Sequence, residues 1–280
     1  MAGYEEVAAK LAGWTGTIGG FTRMLDAEAI AYLSFSKITT MDFCPYAYYL
    51  EYIKKIVVRP QPDYFIKGHL FHEAAARAYR AMRRGREVDA AGLKRFITSR
   101  ARSQHHDHLH NAVSLAIDNA HIGWEVVGIE QPFVLSLGPS LPPCLGVVDL
   151  ILRKQGQYAV VDHKTGKNFN GPDDTQLAIY GEHVNRTFGV QECTGIFDEY
   201  RWVNNLTRIR KPGFSRTVVK PRASSWKKAE RRLAKCHRQI LSIERKGDAA
   251  KTGNCFMCRF GDRCPYKTTP TYESYGYRWW

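Results

Sequence analysis

Two short apolar runs that each end on charge constrain the fold more than any other feature of the chain. Residues 146–151 read GVVDLI and residues 158–167 read YAVVDHKTGK. Aliphatic and β-branched residues ahead of a Gly-bearing turn predict interior strands, and the intervening RKQGQ is short enough to join them as a hairpin. Each strand then carries an aspartate, Asp149 or Asp162, toward the interior. Side chains at i and i+2 share a strand face, so Asp162 and Lys164 point into one space while His163 points the other way. As an exposed ion pair these two would contribute roughly 0 to 1 kcal/mol and signify nothing further. Two buried carboxylates in one place, by contrast, need a counter-charge. A divalent cation supplies it. Magnesium and manganese take oxygen ligands, and a nearby imidazole tilts the choice toward manganese.

The rest of the chain frames these strands. Residues 1–33 predict two short helices around the Gly-rich WTGTIGGFTR, which lacks the GxxxxGK[ST] pattern, as does the remainder, so no ATP-driven motor is indicated. Ser36 is placed to cap a helix through TTMDFCPYAYYLEYIKK, with Pro45 marking a boundary near Cys44. Helical spacing dominates from 64 to 121, followed by three strand-like runs, WEVVGIEQPFVLSL, CLGVVDLILR and QYAVVDHK. DDTQLAIYGEHVNRTF restores helical spacing with Asp173 or Asp174 as its cap. TGIFDEYRWV and LTRIRK, joined by NN, predict a hairpin, and a basic helix follows from 224 to 246. This order predicts an α/β chain with a mixed central sheet flanked by helices. It divides into a helical N-terminal extension at 1–35, one large domain at 36–266 and an aromatic tail at 267–280. The acidic start lacks the pattern of a signal peptide and no stretch approaches 18 apolar residues, so a soluble, cytoplasmic protein with no membrane partner is expected.

The formal charge is +14, and its placement matters more than its size. From Arg201 to Lys246 there are 15 Lys and Arg against Glu230 and Glu244, and from Arg77 to Arg102 nine against Glu87 and Asp89. Clusters of this kind match the electrostatic footprint of a phosphate-backbone binder, although a solubilising face or an acidic protein partner would show the same pattern. The candidate contacts are Arg222, Lys227, Lys228, Arg231, Arg232, Lys235 and Arg238.

Seven cysteines, three of them crowded into CFMCRFGDRCPY, favour a metal site over disulfides in a reducing compartment. Cys255, Cys258 and Cys264 are one short of a four-thiolate set, and Cys44 is the candidate fourth. An iron-sulfur cluster and structural zinc both suit four thiolates, but zinc ribbons usually present two CxxC knuckles and this chain has one. Cys144, Cys193 and Cys236 fall in apolar patterns and read as small buried hydrophobes. The histidines of QHHDHLHN are spread around a helix or loop and match no metal motif. The tail TYESYGYRWW could stack on bases or cover the core.

In KGHLFHEAA, His72 follows Gly68 by four residues, and in QLAIY Gln176 and Tyr180 share one helical face. With GVVDLI and VVDHKTG, these segments resemble the successive motifs of RecB-type nucleases of the PD-(D/E)XK superfamily, in order and strand context, over about 36–266. The resemblance implies a restriction-endonuclease-like core. It makes His72, Asp149 and Asp162 side-chain metal ligands, with the His163 carbonyl completing the protein share of the shell. Lys164 would orient the attacking water or stabilise charge on the phosphate, and Gln176 and Tyr180 would position the strand and support the lysine. Glu130 and Glu73 rank below these as accessory carboxylates. The split cysteine set resembles that of AddB-like and CRISPR-associated exonucleases, which implies a [4Fe-4S] cluster stapling the N-terminal helix to the C-terminal segment and holding the DNA channel together.

The expected activity is a magnesium- or manganese-dependent deoxyribonuclease, more an exonuclease on single-stranded DNA or DNA ends than an endonuclease. Recombination and repair, phage replication and CRISPR adaptation are the settings, and a helicase or integrase is the candidate protein partner. The alternative is a catalytically silent nucleic-acid-binding subunit with the nuclease fold, disfavoured because Asp149, Asp162 and Lys164 are all present. A restriction-type endonuclease is disfavoured because no base-recognition domain is evident.

Overall fold

One strand, β3 (Cys144–Lys154), organises the sheet because it has three different neighbours. The computed structural model describes residues 3–58, 62–166, 168–201, 212–220, 223–252, 255 and 258–266. β3 is antiparallel to β2 (Glu125–Leu135) along nearly its whole length, from Glu125 opposite Arg153 to Leu135 opposite Cys144. Its other edge is shared. β1 (Leu33–Ser34) runs parallel to it at Cys144 and Leu145, and β4 (Gln157–Gly166) runs antiparallel to it only from Leu150 to Lys154. Among the described residues that edge carries no strand pairing from Gly146 to Asp149, and the sheet opens there. β4 continues as the parallel neighbour of β5 (Cys193–Arg201), which pairs antiparallel with β6 (Gly213–Val219). The result is a six-stranded mixed sheet flanked by helices, consistent with a restriction-endonuclease-like core.

Contact between segments divides the chain into two compact units, residues 1–34 with 63–231 and residues 35–62 with 232–280. In the first, α1 (Tyr4–Ala12) and α2 (Ile18–Ala27) bury Val7, Phe21 and Leu25 with Val134 and Leu145 of the sheet. α3 (Phe35–Phe43) and α4 (Pro45–Tyr48), followed by a π-helical turn at Tyr49–Ile53, belong to the second. The predicted break at Cys44 and Pro45 is present, but Ser36 lies inside α3 rather than capping it. Pairing of Leu33 with the Pro143 carbonyl ends β1 immediately before the helix and leaves no loop for a cap.

The helical stretch 64–121 resolves into α5 (Asp63–Arg83), α6 (Ala90–Arg100) and α7 (His106–Asp118). Phe71, Ala74, Ile97, Leu109 and Ala112 of these helices enclose Tyr200 of β5, while Tyr79 joins Leu150, Leu152, Ala159, Val161 and Ile196. Full burial of each large aliphatic or aromatic side chain here contributes roughly 1.5–3 kcal/mol. These contacts define one face of the sheet. The other face receives α8 (Asp174–Phe188), the crossover that parallel β4 and β5 require. Asp173 caps α8, accepting a hydrogen bond from Thr175 N at 2.9 Å, and Leu177 packs over Gly195. The partner expected for β5, LTRIRK, lies wholly within 202–211, outside the described residues; among the described residues the strand that pairs antiparallel with the far edge of β5 is Gly213–Val219.

α9 (Ala223–Lys246) contributes its first nine residues to one unit and the remainder to the other. Ala229, Leu233, Cys236, Ile240 and Ile243 form a buried stripe at helical spacing. Within the second unit, Tyr46 N donates to the Ala250 carbonyl at 3.1 Å, Tyr49 Oη to the Gly247 carbonyl at 2.7 Å, and Arg259 pairs with Glu51. No helix among the described residues is long and apolar enough to cross a membrane.

Candidate active site

Strand register assembles the carboxylates. Gln131 stands opposite Val148 and Ile129 opposite Leu150, so Glu130 of β2 faces Asp149 of β3 across the ladder. Leu150 stands opposite Val161, so Asp149 faces Asp162 of β4 just where those strands part. Three acids thus form a row across three adjacent strands. With the ladder open, His163 N donates to Asp149 Oδ2 at 2.8 Å, so the carboxylate occupies the backbone donor that a strand would otherwise have taken.

His72 of α5 completes the group. Its Nδ1 lies 3.4 Å from Glu130 Oε1 and 3.6 Å from Asp149 Oδ1, and ligand atoms of His72, Glu130 and Asp149 all fall within 4.8 Å of one another. Glu130 has φ of +47° inside a strand, the left-handed region that costs a non-glycine residue roughly 1–3 kcal/mol. Lys164 Nζ lies 2.8 Å from both oxygens of Asp162, donating with hydrogen-bond geometry to Oδ1. Gln176 and Tyr180 are buried on α8, with the Gln176 amide donating to Tyr180 Oη at 2.8 Å.

The electrostatics are those of crowded buried acids. Burial pushes the Asp149 carboxyl up, with Glu130 adding to the shift and His72 and Lys164 opposing it. Burial likewise raises Asp162 to about 6 against the pull of Lys164. Burial disfavours the charged His72 ring, yet Asp149 and Glu130 prevail and raise it to about 9. Lys164 is raised by Asp162 and Asp149 despite burial. Burial and then Asp162 and Asp149 drive the Tyr180 phenol well up, which keeps it a neutral donor. An imidazole and converging carboxylates short of positive charge are the donor set that fits a divalent cation.

His163 turns its ring to the opposite face. Nδ1 lies 3.1 Å from Tyr200 Oη, the ring stacks on Tyr79, and burial holds its pKa down at about 3. Beneath it, Asp198 accepts from Arg216 at 2.7 and 2.8 Å and lies 3.0 Å from His121. Glu199, its neighbour on β5, faces the site side and accepts from Asn170 N at 2.6 Å and Gly171 N at 3.2 Å. Neither acid figured among the candidate residues, although DE inside the apolar run IFDEYRW signals buried carboxylates with partners.

Other candidates fall elsewhere. Glu73 turns away from His72 to Arg77 at 2.8 Å and Arg100 at 3.3 Å. On α9, Lys227, Lys228, Arg231, Lys235 and Arg238 are exposed, Arg232 is half-buried and bonded to Asp42 at 2.7 Å, and Arg222 lies outside the described residues, as does the aromatic tail from 267. Among the described residues the clustered histidines form no three-donor set: His105 lies beside Asp63, while the His106 and His110 rings stack on one another, His106 also bonding the Ala101 carbonyl and His110 Thr98. Cys144, Cys193 and Cys236 are buried, the last two with thiols pushed up by burial to about 12. Cys44, Cys255, Cys258 and Cys264 all belong to the second unit. The Cys258 thiol is raised by burial and also by the nearby Cys44, Cys264 and Cys255. Among the described residues, His72, Glu130 and Asp149 are the one set of three or more such donors drawn within 4.8 Å, so the cysteine sulfurs are neighbours without forming a closed ligand set.

A mixed sheet that opens at a row of acids, with a lysine two residues beyond the last, defines a nuclease of the PD-(D/E)XK superfamily, and the chain belongs to it. The family model matches residues 32–265. A crystal structure from Eubacterium rectale, described provisionally as an exonuclease, superposes with a TM-score of 0.55 at 12% identity, covering 92% of this chain and 97% of that one, which supports the fold. A structure described as SSO0001 aligns at a TM-score of 0.34 and 15% identity over 73% of this chain and 96% of that one, too low to bear on the fold. No curated protein matches the chain.

Proposed function

We propose that the protein is a RecB-type, metal-dependent deoxyribonuclease that acts as an exonuclease on single-stranded DNA or DNA ends. The observation that carries the reading is the row Glu130, Asp149 and Asp162 with His72 on one side and Lys164 on the other. The ligand set for manganese or magnesium is His72, Asp149, Asp162 and the His163 carbonyl, with Glu130 added by its place in the row. When bound there, such a cation supplies Lewis-acid polarisation of a phosphate and a water acidified toward neutral pH. The chain's own groups do the rest. Asp162 holds the Lys164 ammonium at 2.8 Å, where it can orient a water or balance charge developing on phosphate oxygens. Gln176 and Tyr180 fix one another on the helix that packs behind Lys164 and position it. The exposed cations of α9 suit a phosphate backbone.

The test is degradation of end-labelled single-stranded and double-stranded DNA, and of RNA, with manganese or magnesium, beside Asp162→Ala and Lys164→Ala. Metal-dependent products that vanish in both variants support the nuclease, and product lengths separate exonuclease from endonuclease. Salt-sensitive binding without cleavage by folded wild type overturns it in favour of a silent DNA-binding subunit. The same reading gives Cys44, Cys255, Cys258 and Cys264 a [4Fe-4S] cluster, as in AddB-like and CRISPR-associated exonucleases, in a reducing cytoplasm. Four thiolates fit such a cluster, and their mutual influence on Cys258 supports it. Iron and acid-labile sulfide in equal amounts, about four of each per chain, are expected in anaerobically purified protein; one zinc per chain would replace that assignment. A helicase or integrase partner, in recombination, phage replication or CRISPR adaptation, follows from the resemblance alone.

A further inference from the structure

The loop between β4 and α8 leaves the active-site strand after Gly166, two residues beyond Lys164, and it is pinned. Glu199, buried beside Lys164 in the β4–β5 register, accepts from Asn170 N and Gly171 N, and Gly171 takes φ of +75° to make the turn. The pinned segment presents Phe169 to solvent at 38% exposure. Arg201 lies on the same sheet face as Glu199, two residues further along β5, and its guanidinium carbon sits 4.7 Å from the centre of the Phe169 ring. Beneath them is Gly213, opposite Arg201 on β6. A Cβ at that position would come within 3.0 Å of the Arg201 guanidinium and 3.3 Å of the Phe169 ring, so a larger residue would press on both side chains. From Lys164 to Arg201 is one strand across and two residues along, roughly 8 Å between Cα atoms.

We propose that Phe169, backed by Arg201, is a stacking platform for the unpaired base next to the scissile phosphate, and that it makes the site prefer single strands. The proposal rests on the nuclease reading above. Every base has a π-face, so an exposed ring with a cation at its back binds bases of any identity while attracting their phosphates. Pinning the loop in advance removes part of the ordering cost that binding would otherwise incur. In a duplex that base face is covered by its neighbour, and stacking on Phe169 requires fraying first.

The test uses full-length, metal-loaded protein with single-stranded oligonucleotides. Phe169→Ala is expected to raise KM by about five- to hundredfold, the range of base–aromatic stacking, and Phe169→Tyr to restore it. A scan of single abasic positions should find one, beside the cleaved bond, at which wild type loses that factor and F169A loses nothing more. A KM for F169A equal to that of wild type, or an abasic penalty that persists undiminished in F169A, overturns the platform while leaving the nuclease intact. If wild type cleaves no strand, the nuclease reading fails, and the platform is then judged by 2-aminopurine fluorescence of a bound strand. Quenching by wild type and F169Y but not by F169A supports it, and equal quenching by all three overturns it.

Discussion

Lys164 and Asp162 illustrate how one contact changes meaning with its surroundings. At a surface their 2.8 Å pair would be worth little; here Asp162 is fully buried with a second carboxylate facing it, and the lysine is what keeps an ionised form tolerable. Lys164→Met should lower kcat by about a hundredfold to a thousandfold, the usual cost of one charge-stabilising donor. Manganese affinity, measured by calorimetry, should stay within about threefold because no ligand is lost; a parallel collapse of binding would recast Lys164 as structural. The raised pKa values give a second expectation. Without a cation His72 keeps its proton up to about pH 9 and Asp162 up to about 6. A cation must displace those protons, so affinity should rise with pH from 5 toward 9. Titrations in buffers of different ionisation enthalpy should show proton release on binding, and a flat profile would contradict the ligand set. Asp149, Asp162 and Lys164 were legible in sequence because strand alternation fixes their common face. The place of Glu130 in the row was not, since its φ of +47° and its position opposite Asp149 depend on the β2–β3 register, which residue spacing does not encode.

At the scale of elements, long periodic segments declared themselves: the helices of 64–121, the strands around GVVDLI and YAVVDHK, and α8 with its Asp173 cap. The two-residue β1 did not, because it is fixed by pairing with the distant β3 rather than by local pattern, and the bounds of β6 did not, because they are set by its register against β5. β5 shows what such pairing protects. Burial alone would raise Asp198, but hydrogen bonds from Arg216 and His121 prevail and hold its carboxyl at about 2. A folded value below the unfolded one, near 4, stabilises the fold above pH 4, and that contribution, about 2 kcal/mol, is lost as pH falls from about 4 to about 2. Asp198→Asn should therefore destabilise the protein by about 3 kcal/mol at pH 7, because Arg216 loses its buried counter-charge. Urea unfolding at pH 7 and pH 3 should show the gap between wild type and variant narrowing in acid. An unchanged gap would show that the carboxylate is not what Arg216 and His121 stabilise.

For the molecule as a whole, the +14 charge is a statement about partners rather than about the fold. Part of the basic run between Arg77 and Arg102 is engaged internally: Arg77 and Arg100 are bonded to Glu73 and lie over the Phe96 ring at 4.2 and 4.7 Å. On α9, in contrast, Lys227, Lys228, Arg231, Lys235 and Arg238 are exposed, while the apolar stripe that holds the helix lies on other positions. Their charge can be removed without touching that stripe. If they meet DNA phosphates, the logarithm of affinity for a single strand should fall linearly with the logarithm of salt, with a slope of roughly 0.7 for each phosphate neutralised. Replacing these five with glutamine should flatten the slope by that amount for each phosphate left without its cation. Binding should weaken evenly across sequences, since backbone contacts carry no base information. Glutamine at Arg77 and Arg100 should leave the slope nearly unchanged and show its effect in thermal stability, because those guanidiniums are already engaged with Glu73 and Phe96. A slope that responds equally to both sets would mean that the charge acts as a diffuse field over the surface rather than through α9.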